Sequence, residues 1–392
     1  MTDRQRALWE RYRGFGGEQV APRSERLWRE GAFDRESWQA LADEGFWRIA
    51  VPERHGGEGG GLMDFLCAYG GMMAGARDFG WGMTVGSQVG VISILLEHGT
   101  DSQLKRWLEP LLSGSVAATA LTEPSGGSDI SRVRTSAARS NGGYVLNGEK
   151  VHITNGPVAD LAIVLGRVEG LAPRDLTLFM VDHDTPGVSR GEFEDMFGIR
   201  TSPTGALTFD NAVLDGEQVI GAPGDGMANV ARVMVFDRLQ ISLICLGLME
   251  PLVWEALEFA EGREAFKAKI AEHQYIQGRI TEMVRLTETT RFMTFGAIER
   301  VLAGDPAGPM TASLSKLHAS ESLVEVAQHA MAIQAHRAYV NGPLSRLIAD
   351  ALGGRIGGGT PEMQRKNVFN QLAKIREAHA EEERKWLESS PA

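Results

Sequence analysis

A chain of 392 residues, 43% hydrophobic and 23% charged, is too long for one small core and reads as two or three packed domains. Its formal net charge of −11 argues against a nucleic-acid-binding surface, no run of about 18 uninterrupted apolar residues marks a membrane span, and the opening MTDRQRALWERYRG lacks the apolar centre of a signal peptide. Cys67 and Cys245, the only cysteines, sit in apolar surroundings and read as two buried free thiols in a reducing cytoplasm.

Residues 1–114 read as an N-terminal helical domain, with helix-type apolar spacing at Ser37–Leu41 and Val91–Leu96. Residues 115–225 change character. A loop rich in hydroxyls and glycine, Leu121-Thr122-Glu123-Pro124 followed by Gly126-Gly127-Ser128-Asp129, precedes short β-branched runs at Leu161–Leu165, Leu176–Val181 and Ala206–Phe209. These predict an antiparallel sheet or small barrel. Tyr144–Leu146 and Lys150–Thr154 flank Asn147-Gly148, which predicts a hairpin turn there. From 226 to 392 the helical period returns in segments 227–262, 271–304, 309–339 and 360–389, enough for an up-and-down four-helix bundle, with Pro251 inside the first. The fold class is α+β multidomain. Hydroxyls on the loop, beside a strand ending in Thr154, suit a planar ligand rich in hydrogen-bonding groups, although a Gly/Ser loop alone is more often only a turn.

The motif T-E-P-x-x-G-S-D, followed by N-G-x-K-x-x-I-T-N-G, resembles the flavin-contacting segment of the acyl-CoA dehydrogenase family. Other segments fall in that family's order: Leu41–Phe46 leading to Val51-Pro52 and Gly56–Gly59, His98-Gly99-Thr100, Gly198–Ser202, Arg263–Phe266, Glu272-His273-Gln274 and Gly358-Gly359-Thr360. The resemblance implies two helical domains holding a β-domain, an FAD cofactor, and a homotetramer or homodimer. It places Thr119, Leu121 and Thr122 at the pyrimidine edge of the flavin, Gly127 and Ser128 at its ribityl and phosphate side, and Thr154 near N5. Arg263 and Phe266 would reach the dinucleotide across a subunit boundary, with Gln274 nearby. Gln334 and Thr360 fall in the C-terminal cofactor-binding segments, and Ser128 also borders the substrate.

The implied reaction removes the α-proton of an acyl thioester, carried on CoA or on an acyl-carrier protein, while the β-hydrogen leaves as hydride. It requires a carboxylate base. The family's commoner base position, directly before a C-terminal Gly-Thr, is Gly358 here. An isovaleryl- and long-chain-type branch instead carries the base on the first long C-terminal helix, directly before an Arg. Counting back from Arg263 places Asp237 at the base and Arg238 at the substrate-shaping Arg. The glycines at 357–359 are expected to leave room for a branched, cyclic or carrier-bound acyl group.

Three departures motivate rival readings. His152 replaces the aromatic expected beside the flavin, Asp237 is one methylene shorter than Glu, and Gly357–Gly359 open the loop from which the base more commonly projects; Arg337 also stands where the family has glycine in the segment after Gln334. A flavin oxygenase on the same fold is one rival; a flavin-binding protein without turnover is the other. The electron acceptor would be an electron-transfer flavoprotein or oxygen. The nine histidines show no metal-ligand spacing, and no nucleophile-elbow or P-loop motif occurs.

Overall fold

A computed structural model describes the backbone of residues 1–389 and side chains through residue 377. By its internal contacts the chain divides after Gln240 into two compact units.

The first unit opens with helices α1 (Asp3–Phe15), α2 (Ala21–Glu30), α3 (Arg35–Asp43), α4 (Leu62–Ala76), α5 (Phe79–His98) and α6 (Asp101–Leu112). Their starts are chemically marked. Thr2 with Gln5 and Thr100 with Gln103 form reciprocal capping boxes, while Asp34 and Asp78 cap α3 and α5. Thr100 of the His-Gly-Thr segment is thus a helix cap. By length and composition α5 could cross a membrane, yet 78% of its most apolar window is buried inside the protein. An all-round apolar helix in that setting is a core helix.

The strands are β1 (Ala117–Ala120), β2 (Ser136–Ser140), β3 (Gly143–Thr154), β4 (Leu161–Val168), β5 (Leu176–Asp182), β6 (Val188–Arg190), β7 (Thr204–Leu214) and β8 (Val219–Ile220). They form one sheet in the order β6-β7-β3-β2-β4-β5-β8, with β1 added beside β4. Most pairings are antiparallel; β1 and β2 each run parallel to β4. Tyr144, Leu146, Ile153, Val164, Phe179 and Leu207 belong to its buried apolar cluster.

The hairpin expected at Asn147-Gly148 is corrected. Strand β3 runs through both residues, and the turn between β2 and β3 lies at Asn141-Gly142, with φ of 44° and 82°. Two consecutive left-handed residues make the primed turn that matches strand twist. Asn147-Gly148 instead sits at a register slip against β7. A Cβ on Gly148 would lie 2.5 Å from Thr135 Oγ1, and Asn147 Oδ1 accepts from the Asn211 amide at 2.8 Å. The same conformational freedom that makes Asn-Gly a turn former serves a bulge here.

Helix α7 (Gly226–Gly262) begins in the first unit and runs unbroken through Pro251. The second unit adds a small hairpin of β9 (Glu264–Ala265) and β10 (Ala268–Lys269), then α8 (Gln274–Leu302), α9 (Gly308–Gln334), α10 (His336–Tyr339), α11 (Pro343–Gly354) and α12 (Pro361–Ser389). The predicted helix over 309–339 breaks at Ala335, which takes φ 52° and ψ −130°; α11 was not foreseen. Helix α9 packs against α8, α11 and α12. Its buried Lys316 donates to the carbonyls of Arg355 and Gly359 at 3.0 and 2.7 Å, fixing the loop before α12. Cys67 and Cys245 are buried free thiols.

Candidate active site

The motif loop is held from beneath by one carboxylate. Glu123 accepts from Lys150 Nζ at 2.8 Å, from the Thr135 amide and hydroxyl at 2.9 and 2.6 Å, and from the Arg134 amide at 2.6 Å. Burial alone would raise the Glu123 carboxyl, but these donors outweigh it and hold its pKa at about 2. Burial lowers Lys150 to about 8 against the pull of Glu123. Lys150 Nζ also donates to the Leu121 carbonyl at 3.2 Å, and the Val151 amide to the Thr122 carbonyl at 2.9 Å. Backbone and side chain together therefore dock Leu121–Glu123 on β3.

Asn155 joins the other elements. Its buried Nδ2 donates to the Thr84 carbonyl on α5 at 3.0 Å and to the Ala117 carbonyl on β1 at 2.9 Å. Thr154, its neighbour, pairs with Thr204 at the end of β3. Glu123, Lys150 and Asn155 lie inside the motifs, and their sequence surroundings carry no signal of these structural roles.

Asp237 meets this platform at Gly90. A Cβ built on Gly90 of α5 would lie 3.4 Å from Val233 Cγ1, 3.7 Å from Thr119 Oγ1 and 4.0 Å from Asp237 Oδ1. The carboxylate of α7 and the hydroxyl of β1 thus converge over one bare position, which no sequence signal had marked. Asp237 is half-buried, and the protein around its carboxyl excludes enough water that desolvation raises the pKa to about 7, with the Arg238 guanidinium opposing. Burial correspondingly lowers Arg238, opposed by Asp237. A carboxylate near 7 is matched to proton transfer around neutral pH. An apolar cavity lined by Trp47, Val51, Leu62, Phe65, Val89 and Ile92 borders α5.

The hydroxyls of Thr119, Thr122, Ser128 and Thr154 engage no other described residue. Thr119, Leu121, Thr122 and Thr154 are half-buried, while Gly127 and Ser128 are exposed. Unused donors on two strands and a pinned loop fit a planar, heteroatom-rich cofactor. His152 takes φ 56° at a second register slip in β3 and lies 68% exposed, its Nδ1 2.9 Å from Glu194 Oε2.

In the second unit, Arg263 is exposed at the end of α7, where its carbonyl accepts from Ile270 at 2.9 Å. Phe266 and Lys267 turn the β9–β10 hairpin with φ of 53° and 66°, leaving the Phe266 ring 93% exposed. Exposed Gln274 opens α8 beside this hairpin. Gln334 ends α9, and Thr360 Oγ1 accepts from the Met363 amide at 3.4 Å at the start of α12. Arg337 lies over the Phe259 ring at 5.5 Å. The expected open space at Gly358 is corrected: with φ 63°, a Cβ there would lie 2.7 Å from Ile241 Cδ1, so Ile241 occupies it.

Comparison with known proteins places this geometry. The sequence model described as the acyl-CoA dehydrogenase N-terminal domain matches residues 2–115, the middle domain 118–212 and the C-terminal domain 224–373. An acyl-CoA dehydrogenase of Bacillus subtilis (strain 168) is 31% identical over 375 residues, covering 95% of this chain and 98% of that protein. The butyryl-CoA dehydrogenase structure from Megasphaera elsdenii superposes with a TM-score of 0.90 at 28% identity, over 95% of this chain and 99% of that one. The FAD complex of PigA matches with a TM-score of 0.90 at 26% identity, covering 95% and 98%.

Proposed function

Because the chain belongs to the acyl-CoA dehydrogenase family and is a flavoprotein oxidoreductase acting on CH–CH groups with FAD as cofactor, we propose that it performs α,β-dehydrogenation of an acyl thioester with Asp237 as the base. The observation that carries this reading is the convergence of Asp237 Oδ1 and Thr119 Oγ1 over Gly90.

In this reading Thr119, Leu121, Thr122, Gly127, Ser128 and Thr154 hold the flavin, and Arg263, Phe266, Gln274, Gln334 and Thr360 are further cofactor-binding residues, Arg263 and Phe266 toward a neighbouring copy. Bound FAD supplies the acceptor for the β-hydrogen, which leaves as hydride. Asp237 takes the α-proton onto its carboxylate; its raised pKa makes it a stronger base than an exposed Asp. Arg238 and Ser128 shape the thioester end. The unit is a homodimer or homotetramer, and its electrons pass to an electron-transfer flavoprotein or to oxygen.

The oxygenase reading keeps its motive in His152 and the shorter Asp237, while Ile241 takes up space beside Gly358. Anaerobic titration with acyl-CoAs separates the two. Bleaching of the flavin without added reductant supports dehydrogenation, and an oxidised flavin in the presence of a bound thioester refutes it.

A further inference from the structure

One buried polar group beside Asp237 has no part in the chemistry above. Gln240 follows Asp237 by three residues on α7 and projects from the same helical face. Its side chain is buried, and its Nε2 has no hydrogen-bond partner among the described residues. Across from it on α5, Gly86 precedes Gly90 by one turn. A Cβ on Gly86 would meet Gln240 Oε1 at 2.6 Å, much as one on Gly90 would approach Asp237 Oδ1 at 4.0 Å. The two glycines thus leave a bare strip of α5 with the base at one end and the amide at the other.

Close approach of α7 explains glycine at 86. It does not explain an amide at 240, where Leu or Met would fill similar volume without an orphaned donor. Burying an unpaired N–H is unfavourable, so its partner comes from outside the chain. We propose that Gln240 determines specificity by donating from Nε2 to an oxygen on the acyl group. The preferred substrate is then an acyl thioester bearing a hydroxyl, carbonyl or carboxylate rather than a plain alkyl chain. Side chains three apart on a helix have Cβ atoms about 5–6 Å apart, a span covered by an oxygen on the γ- or δ-carbon when the α-carbon faces Asp237.

The inference rests on the dehydrogenase reading, and its test keeps the two apart. Anaerobic flavin reduction by the FAD-loaded protein is measured with butyryl-CoA against 4-hydroxybutyryl-CoA, and valeryl-CoA against 5-hydroxyvaleryl-CoA. In at least one pair the hydroxylated member should have a reduction efficiency at least about tenfold higher, the factor that one hydrogen bond of about 1.4 kcal/mol supplies. Gln240→Met should erase that ratio. Gly86→Ala, whose methyl displaces the amide, should erase it too and serves if Gln240→Met does not hold FAD. Reduction by all four thioesters with no such preference, or a preference that survives both substitutions, overturns the inference alone. No reduction by any of the four overturns the dehydrogenase reading and the inference with it.

Discussion

Lys150 Nζ sits 2.8 Å from Glu123 Oε1, and both side chains are almost wholly removed from solvent. The pair couples the Leu121–Glu123 segment to the strand that ends in Thr154. Removing one partner would leave a buried charge unpaired, at a cost of about 3–5 kcal/mol. Lys150→Met should therefore lower unfolding free energy by that order in urea titrations and release FAD readily. A variant with parent stability and parent FAD content would contradict the structural role given to Glu123.

The same pair predicts acid sensitivity. Glu123 has its folded pKa depressed from 4.5 to about 2, so its stabilisation is complete above about 4.5 and is lost as pH falls toward 2. Urea midpoints should drop across that window, and the drop should shrink in Glu123→Gln. An undiminished drop in the variant would place the acid response elsewhere.

The elements and the site were unequally legible from sequence. Long amphipathic or apolar segments such as α5, α7 and α9 declare themselves, because burial of many side chains enforces their period. Asn147-Gly148 misled, since local backbone freedom does not distinguish a turn from a bulge; pairing with β7 decides that. Asp237 could be singled out only by register against the resemblance. Its meeting with Thr119 at Gly90 depends on tertiary packing that no local signal carries. Ile241 beside Gly358 was illegible for the same reason.

Asn155 supports the platform through two buried hydrogen bonds, to Thr84 and Ala117. Asn155→Ala should cost about 1–3 kcal/mol of stability, the range for buried groups left unsatisfied. It should also weaken FAD binding, because Thr154 and Thr119 lose their fixed relation. Equilibrium FAD titration checks this, and unaltered affinity would remove Asn155 from the positioning role.

Arg263 is exposed within its own unit, and the proposed function has it contact the cofactor of a neighbouring copy. Arg263→Ala should weaken FAD binding by about 1.5–3 kcal/mol, the range for a charge-assisted hydrogen bond. Sedimentation of the apo and FAD-loaded forms should show cofactor retention and oligomerisation moving together. A variant that holds FAD as tightly as the parent would dismiss the assignment.

Asp237 makes activity and stability respond to pH in opposite senses. Its folded pKa lies near 7, above the unfolded value near 3.8. Its contribution to stability is thus full below about 4 and is lost as pH rises toward 7, where burial of the charge is felt. The base is competent only when ionised, so reduction efficiency in the free protein should rise with pH through about 7 and then level. A flat profile from about pH 5 to about pH 9, read with acyl-CoAs whose acyl groups carry no ionisable group, would argue against a carboxylate with the raised pKa expected of a desolvated base.

The most direct measurement is single-turnover anaerobic reduction of the flavin in Asp237→Asn by a thioester that reduces the parent. The substitution keeps shape and hydrogen-bonding capacity while removing the proton acceptor. The variant should retain FAD and thioester binding and lose reduction rate by at least about a hundredfold, the lower end of general-base contributions. Reduction at the parent rate would assign the Asp237 carboxylate to structure and leave the reaction without its proposed base.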